Sequence, residues 1–260
     1  MRIFVCLKPV PDTAAKIKVG GDGLHVDPSG VKFVLGPYDA RCVAKAIELK
    51  GAQGGEVVAV SAGSSKGEAE AGKRIKDALA LGADRGVFIA DESPENRDPL
   101  AVAKALAAAI KAEGEFDLVL CGRQAVDDQA LAVGPMLATL LGVPCVTDAI
   151  SLEVSGKTAT VKRAAEGRID TLEVQLPALI TGQRDLAEEK YPKLKDILAA
   201  KKKPVATFAH GWPGAGAGAY EVTKLAPPPE AVAGKIVGEG PDAVPELLRL
   251  LQDEAKVLSF

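Results

Sequence analysis

Apolar positions along the chain follow two rhythms. Up to about residue 148, short unbroken apolar runs alternate with longer stretches at helical spacing. Ile3-Phe4-Val5-Cys6-Leu7 is the first run and ends at Lys8-Pro9. A continuous run suits a strand covered on both faces, as in a parallel sheet. Runs over 57–61, 86–90 and 117–121 predict three more strands, and Cys145-Val146 begins another. Between them, Val43, Ala46, Ile47 and Lys50 mark a helix over 40–50, with Asp39 as its expected N-cap and glycine at its end. Helices over 66–81 and 100–113 follow, the first closed by Gly82 and the second opened by Pro99. A polar turn over 122–134 leads into an apolar helix ending at Leu141. Residues 10–36 are polar and glycine-rich and predict a loop with a small hairpin. Ser61-Ala62-Gly63-Ser64 reads as a tight turn. Strand and helix alternating four times imply a doubly wound parallel sheet with right-handed crossovers.

At 150 the rhythm changes. Ile150, Leu152 and Val154, then Ala159 and Val161, then Leu172, Val174 and Leu176 alternate, with Gly156 and Gly167 between the runs. This predicts an antiparallel meander over 150–180 added to the parallel sheet. Residues 186–203 are highly charged and end in Lys201-Lys202-Lys203, a run that suits an acidic partner or a solvated face. Residues 211–218 read as low-complexity linker and Pro227-Pro228-Pro229 as stiff coil. A last amphipathic helix over about 241–256 carries Val244, Leu247, Leu248 and Leu251. Three parts are therefore expected: an α/β domain over 1–185, a charged segment over 186–203, and a linker and arm over 204–260 that packs on another chain.

Charge and composition narrow the function. The 260 residues hold 32 Lys+Arg against 35 Asp+Glu, a net charge of −3, which argues against nucleic acid as partner. Cys6, Cys42, Cys121 and Cys145 form no CxxC pair and read as reduced thiols of a cytoplasmic protein. His25 and His210 lie in unrelated segments, so a His-based metal site or a Ser/His/Asp relay is not expected. No apolar run reaches 18 residues, so no membrane insertion is expected, and the N-terminal apolar stretch is too short for a signal peptide.

Ligands of open parallel sheets bind beyond the carboxyl ends of the strands. Four such ends are visible: Lys8-Pro9, 61–64, Ala90-Asp91, and 122–128. The second and fourth bear glycine and lead into helices, whose N-termini offer free N–H groups to phosphate. A nucleotide lying across strands one, two and four is the functional reading; glycines that only make turns are the other. Familiar phosphate motifs fail. Gly67 to Lys73 approaches a P-loop, but Arg74 stands where the magnesium-binding hydroxyl belongs. No G-x-G-x-x-G follows a strand, and Gly214, Gly216 and Gly218 lie in the linker. A stand-alone ATP-binding module of the stress type needs Gly-x-x-Gly beyond the fourth strand, where Gly122 is followed by Ala125. Adjacent Asp127 and Asp128 either orient a ribose hydroxyl or, the favoured reading, cap the next helix. No nucleophile, base and orienting group come together, so no catalytic residue is assigned.

These residues together resemble the β subunit of electron transfer flavoprotein. The resemblance rests on Val5 to Asp12, Lys16-Ile17-Lys18-Val19, Gly36-Pro37-Tyr38-Asp39, Ala59 to Gly63, Ala78 to Gly86, Gly122 to Asp128, and Val161 to Pro177. It spans essentially the whole chain and implies a Rossmann-like α/β fold with the meander and a C-terminal arm. It also implies an αβ heterodimer that carries electrons, with FAD shared with the α subunit and an AMP buried in this one. By match, the AMP contacts are Cys6, Gly36, Pro37, Tyr38, Asp39, Ala62, Gly122, Arg123, Gln124, Ala125, Val126, Asp127, Asp128, Gln129, Ala130, Leu131, Ala132 and Val133. Because 130–133 are apolar, a phosphate there must rely on backbone N–H groups, such as those near Gly134. A branch of the family binds a second FAD in place of AMP and bifurcates electrons; Val133-Gly134-Pro135 and Pro37-Tyr38-Asp39 look like that branch. The resemblance further implies that flavin-dependent dehydrogenases dock on 186–203 through Leu194 and Ile197. It names a membrane quinone oxidoreductase as acceptor.

Overall fold

The computed structural model describes residues 1–64, 70–91, 97–208, 222–230 and 233–259. It divides into two compact units, Met1–Leu225 and Ala226–Phe260. In the first unit, β1 (Arg2–Leu7), β4 (Glu56–Ser64), β5 (Arg85–Asp91) and β6 (Leu118–Gly122) come from the continuous apolar runs. They are separated by α1 (Pro37–Gln53), α2 (Glu70–Leu81) and α3 (Pro99–Ala112); α4 (Val133–Leu141) follows β6. Two short strands, β2 (Pro9–Pro11) and β3 (Phe33–Leu35), pair antiparallel and are the expected small hairpin.

Then come β7 (Cys145–Ser155), β8 (Thr158–Ala165), β9 (Arg168–Gln175), β10 (Ala178–Gly182), α5 (Leu194–Ala200) and β11 (Val205–Phe208). Nine of these strands form one sheet in the order β11-β5-β4-β1-β6-β10-β7-β8-β9. From β11 through β7 neighbours are parallel; β7-β8-β9 are antiparallel. The order reverses at β1. The chain moves from β1 to β4 and β5 on one side, then returns to lay β6 on the other.

Alternation along β1 explains both layers. Ile3, Val5 and Leu7 join one core cluster with Val43, Ala46, Ile75 and Leu79 of α1 and α2. Phe4 and Cys6 join the other, with Leu106, Ile110, Leu137 and Ala138 of α3 and α4. Each fully buried Ile, Leu or Phe contributes about 1.5–3 kcal/mol against exposure. At the amino ends of the strands the charges pair with one another. Arg2 reaches Glu56 and Glu113, both at 3.2 Å, and Arg85 reaches the same two, both at 2.7 Å.

Several expectations need correction. Asp39 is not the cap of α1: Gly36 holds that position, with Pro37 in the first turn and no side-chain cap. Residues 61–64 are not a turn; β4 runs through them, paired with β5 out to Ser64 and Asp91. The meander begins at 145 rather than 150. Its last stretch, 178–182, leaves it to become β10, a fully buried strand inserted parallel between β6 and β7. The arm does not start at 204, because β11 pairs with β5 at the edge of the sheet. Lys203 is not solvated; its Nζ donates to the Leu79 and Ala83 carbonyls at 2.9 and 2.6 Å. Residues 65–69, which include the start of the expected helix over 66–81 and the first three residues of the near-P-loop, lie outside the described residues, as do His210 and 211–218.

In the second unit the expected continuous helix is three short pieces: a 3-10 turn (Pro241–Ala243), α6 (Val244–Arg249) and a π turn (Leu250–Glu254). Its Val244, Leu247 and Leu248 are exposed.

Candidate functional site

A cavity of about 350 Å³ opens beyond the carboxyl ends of β1, β4 and β6, where the strand order reverses. Its size falls in the range of small-molecule sites, and its place is where doubly wound sheets bind ligands. Cys6 lines it from β1, Asp39 from α1 and Ala62 from β4. From the β6–α4 connection come Gly122, Arg123, Gln124, Ala125, Asp128, Ala130, Leu131, Ala132 and Val133.

Six of the residues singled out from the sequence are not on its wall: Gly36, Pro37, Tyr38, Val126, Asp127 and Gln129. Tyr38 instead faces the Arg184 guanidinium, 5.6 Å from the ring centre. Residues not assigned from the sequence do line it. These are Leu7, Lys8, Cys121 and Gly134, together with Arg97, Pro99, Val102 and Leu106 from the start of α3. The 99, 102, 106 spacing was visible as a helical face, but nothing in it distinguishes a core face from a cavity wall. Arg97 is clamped by both oxygens of buried Asp91, at 2.8 and 3.0 Å.

Asp39 ties the site together. One carboxylate oxygen accepts the Lys8 N–H at 2.8 Å and the other accepts the Gly122 N–H at 3.1 Å, so the ends of β1 and β6 are held by one side chain. Burial raises its pKa to about 7, against the pull of those two N–H groups and the Lys8 charge. A Cβ on Gly122 would collide with this carboxylate and with Tyr38, so only glycine fits. A Cβ on Gly134 would lie 2.6 Å from the Thr181 methyl, so that glycine lets α4 sit against β10.

The connection itself is unusual. Gln129 and Leu131 adopt left-handed φ values of 50° and 53°, costly for residues with a Cβ. Ala132 then returns to the right-handed region, and a left–right pair of this kind turns successive N–H groups toward one point. Helical hydrogen bonding begins only at Met136, which donates to the Ala132 carbonyl at 3.1 Å. Among the described residues, the N–H groups of Leu131, Ala132, Val133 and Gly134 find no acceptor. N–H groups of this kind, at the start of a helix, could hold an anion.

Asp127 and Asp128 do not cap α4, whose N-cap is Ala132. Both accept from the Lys8 ammonium, at 2.9 and 2.8 Å. Burial works against the Lys8 charge, but the hydrogen bonds and charges of Asp128 and Asp127 outweigh it and raise its pKa. The Cys121 thiol is held protonated by its hydrogen bond with Cys6 and by burial. The four cysteines are free, and the described residues contain no metal-binding cluster.

Away from the cavity, Leu194 and Ile197 lie on α5 with 73% and 42% of their surfaces exposed, while Ala200 is buried and anchors the helix. Among the described residues no helix is long and apolar enough to cross a membrane.

The fold is that of an α/β protein with a cavity at the switch point of a parallel sheet. A family model described as the electron transfer flavoprotein domain matches residues 23–211. The electron transfer flavoprotein subunit beta of Bacillus subtilis is 34% identical over 269 aligned residues, covering 99% of this chain and 100% of the relative. That of Bradyrhizobium diazoefficiens is 38% identical over 260, with coverage of 99% and 100%. The Homo sapiens protein of the same name is 36% identical over 253, with coverage of 95% and 96%. The chain belongs to the electron transfer flavoprotein family, on its β-subunit side, and its role is in electron transfer.

Proposed function

We propose that this chain is the β half of an αβ electron carrier and that its cavity holds AMP. The observation that carries the AMP reading is the set of four N–H groups without an acceptor, Leu131 to Gly134, on residues that line a cavity at the sheet's switch point. A phosphate suits those donors, since no hydroxyl or amide side chain stands at 130–133. Ala62, Pro99, Val102, Leu106 and Val133 offer an apolar wall for a purine. In this reading the AMP is structural and undergoes no reaction. FAD, shared with the α subunit, supplies the chemistry: its isoalloxazine takes up and passes on electrons. The chain is thus a carrier rather than an enzyme, and its own residues bind and orient.

Flavin-dependent dehydrogenases dock, on this reading, on the segment around α5, with exposed Leu194 as anchor. Burying such a side chain is worth about 2 kcal/mol. The Leu194→Ala variant should slow dehydrogenase-linked flavin reduction while leaving nucleotide content unchanged. A membrane quinone oxidoreductase is the proposed acceptor, and four free thiols suit the cytoplasm.

Purifying the αβ complex, denaturing it and quantifying the released nucleotides tests the reading. One FAD and one AMP are expected. Two FAD and no AMP would make the 122–134 connection a second flavin site and the protein a bifurcating one.

A further inference from the structure

Lys8, at the end of β1, lines the cavity with the β6–α4 loop, and the obvious role for it is to bind phosphate. Its surroundings point elsewhere. The ammonium already bonds two carboxylates, Asp127 Oδ1 at 2.9 Å and Asp128 Oδ2 at 2.8 Å, so one positive charge faces two negative ones. Its attraction for an added anion is spent.

What those bonds hold is the strained part of the loop. Asp128 uses its other oxygen to accept the Ala130 N–H at 3.1 Å, and Asp127 accepts the Asp128 N–H at 3.0 Å. Gln129 donates to the Ala125 carbonyl at 3.0 Å. Left-handed Gln129 and Leu131 sit on either side of Ala130. Such conformations persist only where neighbouring groups over-determine them. The other end of the same connection is tied to the same residue, because the Lys8 N–H and the Gly122 N–H share the Asp39 carboxylate. Lys8 thus meets the β6–α4 loop twice: its backbone shares the Asp39 carboxylate with Gly122 at the loop's start, and its ammonium bonds Asp127 and Asp128 in the loop's middle.

We propose that Lys8 is a latch: a positioning residue that, through Asp127 and Asp128, holds the loop in the shape that aims the N–H groups of Leu131 to Gly134 at the ligand. The ligand half of this inference rests on the AMP reading; the loop half does not. The two roles for Lys8 predict opposite signs. If Lys8 binds phosphate, removing the two Asp charges frees it and tightens AMP. If it is a latch, removing either partner loosens the loop and weakens AMP alike.

The test uses the αβ complex in four forms: Lys8→Met, Asp127→Asn with Asp128→Asn, all three together, and Lys8→Arg. Two quantities are read, hydrogen exchange of the bonded Gln129 and Ala130 amides and the dissociation rate of radiolabelled AMP. Lys8→Met should accelerate both by about tenfold, as expected for two half-exposed pairs lost together. The double Asn variant should move both in the same direction. The triple variant should be no worse than Lys8→Met, since both changes break one linkage. Lys8→Arg should restore most of the loss, and with the Asn forms it carries the test should Lys8→Met not fold. Slower AMP release in the double Asn variant would overturn the latch in favour of a phosphate cation. Unchanged exchange in Lys8→Met would overturn it outright. Faster exchange in a complex that binds no AMP would leave the latch standing and sink the AMP reading.

Discussion

Ion pairs stand at both ends of the parallel strands, but the two ends treat their backbones differently. At the amino ends, Arg2, Arg85, Glu56 and Glu113 neutralise one another, and the left-handed turns there fall to glycines such as Gly54, Gly114 and Gly142. At the carboxyl ends, Asp39 is spent on backbone N–H groups, and Gln129, Leu131 and Asp148 are themselves left-handed. One end takes the cheapest solution available to the chain. The other holds strain and, among the described residues, leaves four N–H groups without an acceptor, the departure from local rules that accompanies functional sites.

The largest test of this contrast exchanges glycine for alanine at each end. Gly122→Ala forces a methyl into the Asp39 carboxylate and should cost about 3 kcal/mol in urea unfolding. Gly142→Ala, at φ 73° with open space around its Cβ position, should cost only about 1 kcal/mol. Equal costs would erase the distinction.

A second test is pH. Asp39 binds its proton more tightly folded, near pH 7, than unfolded, near 3.8. Its contribution is therefore fully present below pH 3.8 and is lost as pH rises toward 7, by on the order of 4 kcal/mol. Stability of Asp39→Asn should lack that slope. Glu56 behaves the other way. Its hydrogen bond with Arg85, then the charges of Arg85 and Arg2, outweigh burial and lower its pKa below 4.5. Its contribution is present above 4.5 and fades as pH falls through the folded value. Arg85→Met should flatten that acid limb and cost about 1 kcal/mol at neutral pH, the pairs being partly solvated. The smallest effect belongs to neither end: Leu194→Ala should leave unfolding within about 0.5 kcal/mol of the parent chain.

Much of this was legible in the sequence, for identifiable reasons. Parallel strands buried on both faces leave unbroken apolar runs, so β1, β4, β5 and β6 and the helices between them were readable. β10 was not, because Ala178 to Gly182 continues the alternation of β9 and nothing local says which neighbour it will choose. β11 was hidden for the same reason: an edge strand of four residues carries too little pattern. At the site, the strand-end rule located the cavity and the matched loop supplied much of its wall. The roles of Asp39 and Asp128 went astray because local rules assign an Asp before a helix to capping. Their partners, Gly122 and Lys8, are 83 and 120 residues away.

The place of β10 also has a consequence for how the protein is made. The strand that joins the two halves of the sheet is synthesised after both. β1, β4, β5 and β6 can pair as they leave the ribosome, and β7 to β9 can pair among themselves. The two sheets have no common strand until Gly182 has emerged. The ~60 residues from Gly122 to Gly182 take about 3–12 s to synthesise. During that interval β6 offers an open edge to any passing strand. The nascent chain is therefore open to mispairing at what becomes the middle of the finished sheet, as well as at the β5 edge that waits for β11.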